Sequence, residues 1–264
     1  MNGNDKLFSV ADSVVLLSGA SRGIGYAIAA AFAERRATVI VTGRDRKTLD
    51  EAQRELAVGG GNVGTSVCDV ADAAAIGRCV KDVLDRYGHI DTLINVAGVN
   101  RRKPAADVTP EDFDFILDIN LRGAFLMSQA VGRHMIERRS GCQINIDSLN
   151  TYAPLTRVVP YAMSKAGLGM MTRGLATEWG RHGVRVNGIA PGFILTDLTR
   201  KLWSSPVMQA WGTKNTPAGR IGEVGDLVGT ALFLASPASA FMTGQILRVD
   251  GGFSAGVQWP IDEA

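Results

Sequence analysis

The chain has 264 residues, 46% of them hydrophobic and 20% charged, and its 28 Lys and Arg nearly balance 26 Asp and Glu. At about 150 residues per domain the length fits one large domain or two small ones, with enough chain to bury roughly three-quarters of the unfolded surface. This composition excludes a mainly disordered chain, and a net charge of +2 without clustered basic residues gives no support for a nucleic-acid partner. Residues Met1 to Ser13 are mixed polar and lack the apolar core of a signal peptide, and no run approaches the roughly 18 apolar residues of a membrane span. Cys68, Cys79 and Cys142 are odd in number and far apart, and His89, His134 and His182 lack ligand spacing. The expectation is a cytoplasmic protein with no disulfide framework, no metal and no membrane contact.

In chain order, short apolar runs alternate with longer amphipathic segments. The runs Val14–Leu17, Thr38–Val41, Val63–Val67, Thr92–Ile94, Gln143–Ile146, Val184–Ile189 and Gln245–Val249 read as buried strands. Helices are expected over Ile24–Arg35, Arg46–Ala57, Ala73–Tyr87, Ala124–Arg138, Tyr161–Arg181 and Val224–Ala235, where apolar residues recur every three or four positions. Strand–helix alternation implies parallel pairing with right-handed crossovers, hence an α/β fold: a doubly wound parallel sheet of about seven strands, covered by helices on both faces. No linker interrupts the pattern, so residues 1–264 are expected to form a single domain. Its least regular stretch, about 195–220, is an insertion able to cover a ligand at the carboxyl ends of the strands.

Directly after the first expected strand comes Ser18-Gly19-Ala20-Ser21-Arg22-Gly23-Ile24-Gly25, and a helix follows. Glycines at such a turn let the backbone approach a pyrophosphate, whose charge is stabilised by amides at the helix N-terminus. The G-x-x-x-G-x-G spacing differs from G-x-G-x-x-G, and its placement between strand and helix is what marks it as a dinucleotide site. The second strand ends Val41-Thr42-Gly43-Arg44, with no acidic residue before Asp45. An NAD enzyme places a carboxylate there for the adenine-ribose hydroxyls, whereas Arg44 and Arg22 offer guanidinium forks suited to an extra phosphate, so NADP is expected in preference to NAD.

Tyr161 and Lys165 are four apart and share one face of an expected helix. Ser148 closes the preceding strand thirteen residues upstream, and Asn120 lies in or beside the helix that follows Pro110. With these residues in place the chain resembles the short-chain dehydrogenase/reductase family over nearly its whole length. The resemblance is carried by Ser18–Gly25, Cys68-Asp69-Val70, Asn95-Val96-Ala97-Gly98, Asn120, Ser148, Tyr161-x-x-x-Lys165, Pro191-Gly192 and Val249-Asp250-Gly251-Gly252.

That resemblance implies a Rossmann fold and a catalytic set of Asn120, Ser148, Tyr161 and Lys165. Tyr161 would be the general acid/base, and Lys165 would lower the phenol pKa and hold the nicotinamide ribose. Ser148 would bind the reacting oxygen, and Asn120 would position a proton-relaying water. The implied cofactor contacts are Gly19, Ser21, Arg22, Gly23, Ile24, Gly25, Arg44, Asp69, Val70, Asn95, Ala97, Gly98, Pro191, Gly192, Ile194 and Thr196, besides Tyr161 and Lys165. A homotetramer is implied as well, with a tail from Gly251 to Ala264 that carries Phe253 and Trp259. Two positions depart from the family pattern: Val96 replaces a usual Asn, and Asp147 stands where a small residue is usual. Strand alternation aims Asp147 away from the face of Ser148.

Local stretches resemble gluconate 5-dehydrogenases and deoxy-keto-gluconate dehydrogenases: Gly98-Val99-Asn100-Arg101-Arg102, Ser128–Met135, Val186–Gly192 and Thr216–Arg220. Arg101, with Arg102 beside it, and Arg157 are candidates to pair with a sugar-acid carboxylate. The expected reaction is hydride transfer between NADP(H) and a secondary alcohol or ketone of a sugar acid such as gluconate. The alternatives are a 3-oxoacyl or general carbonyl reductase, whose acyl or aromatic group would meet Leu195, Leu198, Leu202, Trp203 and Trp211, and a non-catalytic NADP-binding protein.

Overall fold

The computed structural model describes residues 6–58 and 60–256. Seven parallel strands form one sheet: β1 (Val14–Ser18), β2 (Thr38–Gly43), β3 (Asn62–Val67), β4 (Thr92–Asn95), β5 (Gly141–Ile146), β6 (Val184–Pro191) and β9 (Ile246–Val249). Their spatial order is β3-β2-β1-β4-β5-β6-β9. The chain winds outward from β1 in one direction, then crosses back to β4 and winds in the other. Such a reversal opens a crevice at the carboxyl ends of β1 and β4, where helices on opposite faces diverge. A second ladder, not anticipated from the sequence, pairs β7 (Ile194–Leu195) with β8 (Gly222–Glu223).

Strand β1 is buried at all five positions because both faces are covered. Val15 and Leu17 point to one side, where they pack with Ile28 and Phe32 of α1 (Gly23–Glu34), Leu49 of α2 (Arg46–Ala57) and Leu234 of α9 (Val228–Ala235). Val14 and Leu16 point to the other, among Val80 of α3 (Ala73–Tyr87), Met127 of α5 (Ala124–Arg138) and Trp179 of α6 (Val159–Trp179). The segment read as one helix over Val224–Ala235 divides into a 3₁₀ turn, Val224–Leu227, followed by α9.

Two stretches were less legible. Helix α4 (Pro110–Leu117) starts at a capping box in which Thr109 and Asp112 satisfy each other's backbone amides, with Pro110 in the first turn. It runs through a π-helical turn, Asp118–Gly123, directly into α5. That wide turn carries Asn120, which reaches the loop after β4 and the first turns of α6. The insertion after β7 folds as α7 (Asp197–Trp203) and α8 (Pro206–Asn215). Phe193, Trp203, Trp211 and Phe253 hold it down in edge-on and tilted contacts, with ring centroids 4.7–6.3 Å apart. Trp203 is thereby committed to the packing under the insertion, while Leu198 is exposed and borders the crevice. Of the tail, Phe253 lies in this cluster and Trp259 lies outside the described residues.

Candidate active site

The crevice begins with the glycine turn. Gly19 has φ +66°, and a Cβ there would stand 2.6 Å from the Cα of Ala97, so only glycine lets the turn after β1 touch the segment after β4. A Cβ on Gly25 would meet the Cα of Ala20 at 2.6 Å, which fixes the first turn of α1 against the loop. Gly23, with φ +60°, faces open space, and the nearest atom to its notional Cβ is in Thr196, 4.0 Å away across the crevice. Arg22 precedes α1 in an extended conformation with no side-chain cap, so the first helical amides remain unsatisfied donors aimed at that space. A diphosphate fits this cradle in charge and in room.

Gly19, Ser21, Arg22, Ile24, Gly25, Arg44, Asp69, Val70, Ala97, Gly98 and Thr196 all line the crevice. Arg22 and Arg44 are exposed at one end with no ion-pair partner among the described residues. The neighbouring carboxylate, Asp45, is occupied in capping α2, where it accepts the amide of Thr48 at 2.8 Å. That end of the crevice is therefore cationic. Asp69 fixes its own loop by accepting the amide of Ala71 at 3.0 Å.

Asn95 does not reach into the crevice. It is buried beneath it, donating to Ser128 Oγ and to Asn145 Oδ1 at 2.9 Å each. Asn145 passes the bond on to Thr172 of α6 at 2.8 Å, so this chain of polar side chains ties β4 and β5 to the two helices behind them. Pro191 ends β6, and Gly192 passes so close to β9 that a Cβ would stand 2.6 Å from the Cα of Asp250. The side chain of Ile194 packs toward Gly222 rather than into the crevice, while Thr196 opens α7 and borders it.

The reactive side chains meet where β5 ends. The Ser148 hydroxyl accepts the backbone amide of Asn150 at 3.1 Å and the Asn150 side-chain amide at 3.2 Å. With both lone pairs used, its own proton is left to donate. That proton is within reach of the Tyr161 phenol, whose pKa the serine lowers. Burial pushes the Tyr161 pKa up, Ser148 pulls it down, the Asp147 charge pushes it up and the Arg102 charge pulls it down.

Lys165, one turn along α6, is only 4% exposed. Its Nζ donates to the Ile146 carbonyl at 2.6 Å and lies 5.8 Å from the centre of the Tyr161 ring. Burial lowers its pKa to about 8, against the opposing influence of Asp147. Asn120 binds the backbone of Val99 at both ends, accepting its amide at 2.8 Å and donating to its carbonyl at 3.0 Å. It donates again to Ser164 at 3.0 Å, whose hydroxyl bonds the Tyr161 carbonyl at 2.7 Å. Asn120 thus clamps the loop after β4 to the first turns of α6.

The arginine candidates separate. Arg101 is bound to Asp112 of α4 at 2.9 Å and stands over Phe115, 3.9 Å from its ring centre. Lys103 bonds the same carboxylate, and the two cations hold Asp112 well below the ordinary carboxylate range. Arg102 is exposed and unpaired among the described residues, and its charge bears on Tyr161. Arg157 sits in a left-handed turn with φ +65°, where its carbonyl accepts the Lys103 amide at 3.0 Å and joins the two loops that flank the site. Sequence reasoning did not find Asn150, whose role depends on a turn geometry that carries no motif, and it did not separate Arg102 from Arg101.

Known proteins bear on this arrangement. The family described as enoyl-(acyl carrier protein) reductase matches residues 19–254. The gluconate 5-dehydrogenase of Gluconobacter oxydans is 41% identical over 248 residues, covering 94% of this chain and 97% of that one. The 5-keto-D-gluconate 5-reductase of Escherichia coli is 36% identical over 251 residues, 95% of this chain and 99% of its own. The crystal structure of a gluconate 5-dehydrogenase from Burkholderia cenocepacia in complex with NADP and tartrate superposes with a TM-score of 0.93 at 38% identity, covering 96% and 99% of the two chains. With a glycine turn, a Ser–Tyr–Lys cluster and a seven-stranded doubly wound sheet in common order, the chain belongs to the short-chain dehydrogenase/reductase family.

Proposed function

We propose that this protein is an NADP(H)-dependent oxidoreductase that moves a hydride between the nicotinamide and a secondary alcohol or ketone of a sugar acid, with gluconate and keto-gluconate the substrates to try first. The observation that carries the reading is the Ser148 hydroxyl, anchored by two Asn150 donors close to the Tyr161 phenol, with a buried Lys165 one turn along the helix. The similarity to gluconate dehydrogenases and to an NADP complex supports both substrate class and cofactor.

The amides at the start of α1 hold the pyrophosphate, and Arg22 and Arg44 hold the adenosine phosphate. Asp69 and Val70 flank the adenine, Ala97 and Gly98 line the middle of the crevice, and Asn95 supports it from below. Tyr161 and Lys165 would hold the nicotinamide ribose, and Pro191, Gly192, Thr196 and the backbone of Ile194 would enclose the carboxamide. When bound, the nicotinamide accepts or supplies the hydride.

The rest is done by side chains of this chain. Ser148 donates to the substrate oxygen and stabilises the charge that grows there. Tyr161 takes the alcohol proton during oxidation and returns it during reduction. The Lys165 ammonium, held by the Ile146 carbonyl, would favour the phenolate against the burial that raises the Tyr161 pKa. Asn120 keeps the Val99 loop and the start of α6 in register and orders the path by which Lys165 exchanges protons with solvent. Arg102 meets the substrate carboxylate, with Arg157 beside it. Arg101, engaged by Asp112, supports the loop.

Residues 1–264 act as one unit in this reading, with residues 195–220 as the cover over the reacting groups. The exposed apolar side chains Phe125, Val159, Met163 and Met170, on α5 and α6, support a homotetramer. The cytoplasm is the compartment of this reading; no helix of the described residues is long and apolar enough to cross a membrane.

Initial rates with D-gluconate and NADP⁺ test the proposal, with Tyr161→Phe as control and a 3-oxoacyl thioester as competing substrate. Gluconate-dependent NADP⁺ reduction that vanishes in the variant is the expected result. Turnover of the thioester with none of gluconate or keto-gluconate would overturn the substrate class.

A further inference from the structure

Strand β5 sends Cys142, Ile144 and Ile146 into the core beneath α1 and α9. Gln143 and Asn145 lie on the opposite face, toward α5 and α6, where they bond Ser128 and Thr172. Asp147 continues that second series, one residue beyond the carbonyl that holds Lys165 and one residue before Ser148. It is 3% exposed. One carboxylate oxygen accepts the Thr151 hydroxyl at 2.7 Å, and the other is buried with no hydrogen-bond partner among the described residues. Room for it exists because residue 169 of α6 is glycine: a Cβ there would stand 3.1 Å from the unpartnered oxygen and 3.0 Å from Ile246. A half-satisfied carboxylate in the interior is costly, and nothing in the packing of β5 against α6 requires one.

We propose that Asp147 is a positioning residue of the proton-transfer pair: its carboxylate, lodged behind Lys165 against Gly169, sets the pH range in which Tyr161 and Lys165 exchange protons. The inference rests on the reaction proposed above, in which Tyr161 is the acid/base.

Among the described residues, the charged and titratable groups around Asp147 are few. Helix α6 contributes Lys165 and Arg173, the turn after β5 contributes Tyr152, and β9 contributes Arg248, which stands 5.3 Å over the Tyr152 ring. Tyr161 completes the set, with Arg102 facing it from the loop after β4. Burial raises the Asp147 pKa to about 6, while Thr151, Lys165, the Ser148 amide and Arg173 oppose the rise. At neutral pH Asp147 is thus ionised. In that form it favours the proton on both members of the pair, offsetting the desolvation of Lys165 and disfavouring the Tyr161 phenolate. Both ionisations lie higher than they would beside a neutral residue.

Asp147→Asn keeps the shape and removes the charge. Both limbs of the pH profile of kcat/KM for alcohol oxidation should then move to lower pH, by about half a unit or more. The midpoint of Tyr161 ionisation should move the same way, followed by ultraviolet tyrosinate absorbance as the difference between each protein and its Tyr161→Phe derivative. The titration needs no substrate, so a missing gluconate rate leaves this test intact.

Thr151→Val is the second variant, for the case that Asp147→Asn does not fold. It removes the bond that favours the ionised carboxyl, so Asp147 protonates at higher pH. Its acidic limb should move toward that of Asp147→Asn while its alkaline limb stays with the parent. Limbs and tyrosinate midpoint unchanged in Asp147→Asn, whether or not its rate falls, would reduce Asp147 to a packing residue and overturn the proposal. A shift of both limbs to higher pH would overturn it as well.

Discussion

Cofactor choice offers the sharpest test, because the structure isolates its cause. Arg44 follows β2 at the adenosine end of the crevice, exposed and unpaired among the described residues. Its one acidic neighbour in sequence, Asp45, is spent on the Thr48 amide. Replacing Arg44 by Ala therefore unmasks no buried charge and breaks no ion pair, and folding stability should stay within about 0.5 kcal/mol of the parent. A guanidinium bonded to a phosphate is worth about 1.5–3 kcal/mol where water is excluded. Exposure and salt screening reduce that to about 1–1.5 kcal/mol here. At 1.4 kcal/mol per decade, the KM for NADP⁺ should rise about 5–12-fold. The KM for NAD⁺, which lacks the phosphate, should stay within about twofold. Arg22→Ala should act alike, since the two cations address the same group. Initial rates at fixed saturating substrate over a range of each cofactor, at low and at high salt, measure this directly. The parent's preference for NADP⁺ should shrink as salt rises, and that of the variant should change little. Equal losses for the two cofactors would refute the assignment, showing Arg44 to act on the fold of the turn.

Three further outcomes are expected. Tyr161→Phe should lower kcat at least about 100-fold, because it deletes the group that carries the proton, while cofactor binding by fluorescence titration persists. Gly19→Ala forces a side chain into a left-handed backbone position and against Ala97 at 2.6 Å, so cofactor affinity should fall at least about tenfold and the melting temperature should drop. The Asp147 carboxyl binds its proton more tightly in the folded than in the unfolded chain, with a folded pKa of about 6 against an ordinary value of 3.8, so between those values the native state holds the extra proton and stability from this group is lost as pH rises. The difference in melting temperature, Asp147→Asn minus parent, should accordingly grow from pH 4 to 6 and then level off; a difference independent of pH would contradict the buried, ionised carboxylate.

What the sequence determined by itself was whatever is written in local chemistry. Short continuous apolar runs marked the strands, and apolar residues every three or four positions marked the helices, because burial on two faces leaves little choice at Val14–Ser18 and burial of one face little along α3. The glycine turn was legible because positive φ and close backbone approach admit almost no other residue at Gly19 and Gly25. Tyr161 and Lys165 were legible because helical spacing puts them on one face and because Ser148, Asn120 and the glycine turn stand in the order that the family resemblance requires. Tertiary structure decided the rest, because those outcomes depend on which segments meet. Arg101 and Arg102 are equivalent in sequence, yet only the approach of α4 brings Asp112 and Phe115 to one of them and leaves the other free. Trp203 read as a cover over substrate until Phe193 and Phe253, from distant segments, drew it under the insertion. Alternation aimed Asp147 away from Ser148, but its charge still reaches both reactive groups, because α6 folds back over the end of β5 and carries Lys165 and Tyr161 with it. Electrostatic influence follows distance and burial in space, and neither is a property of position along the chain.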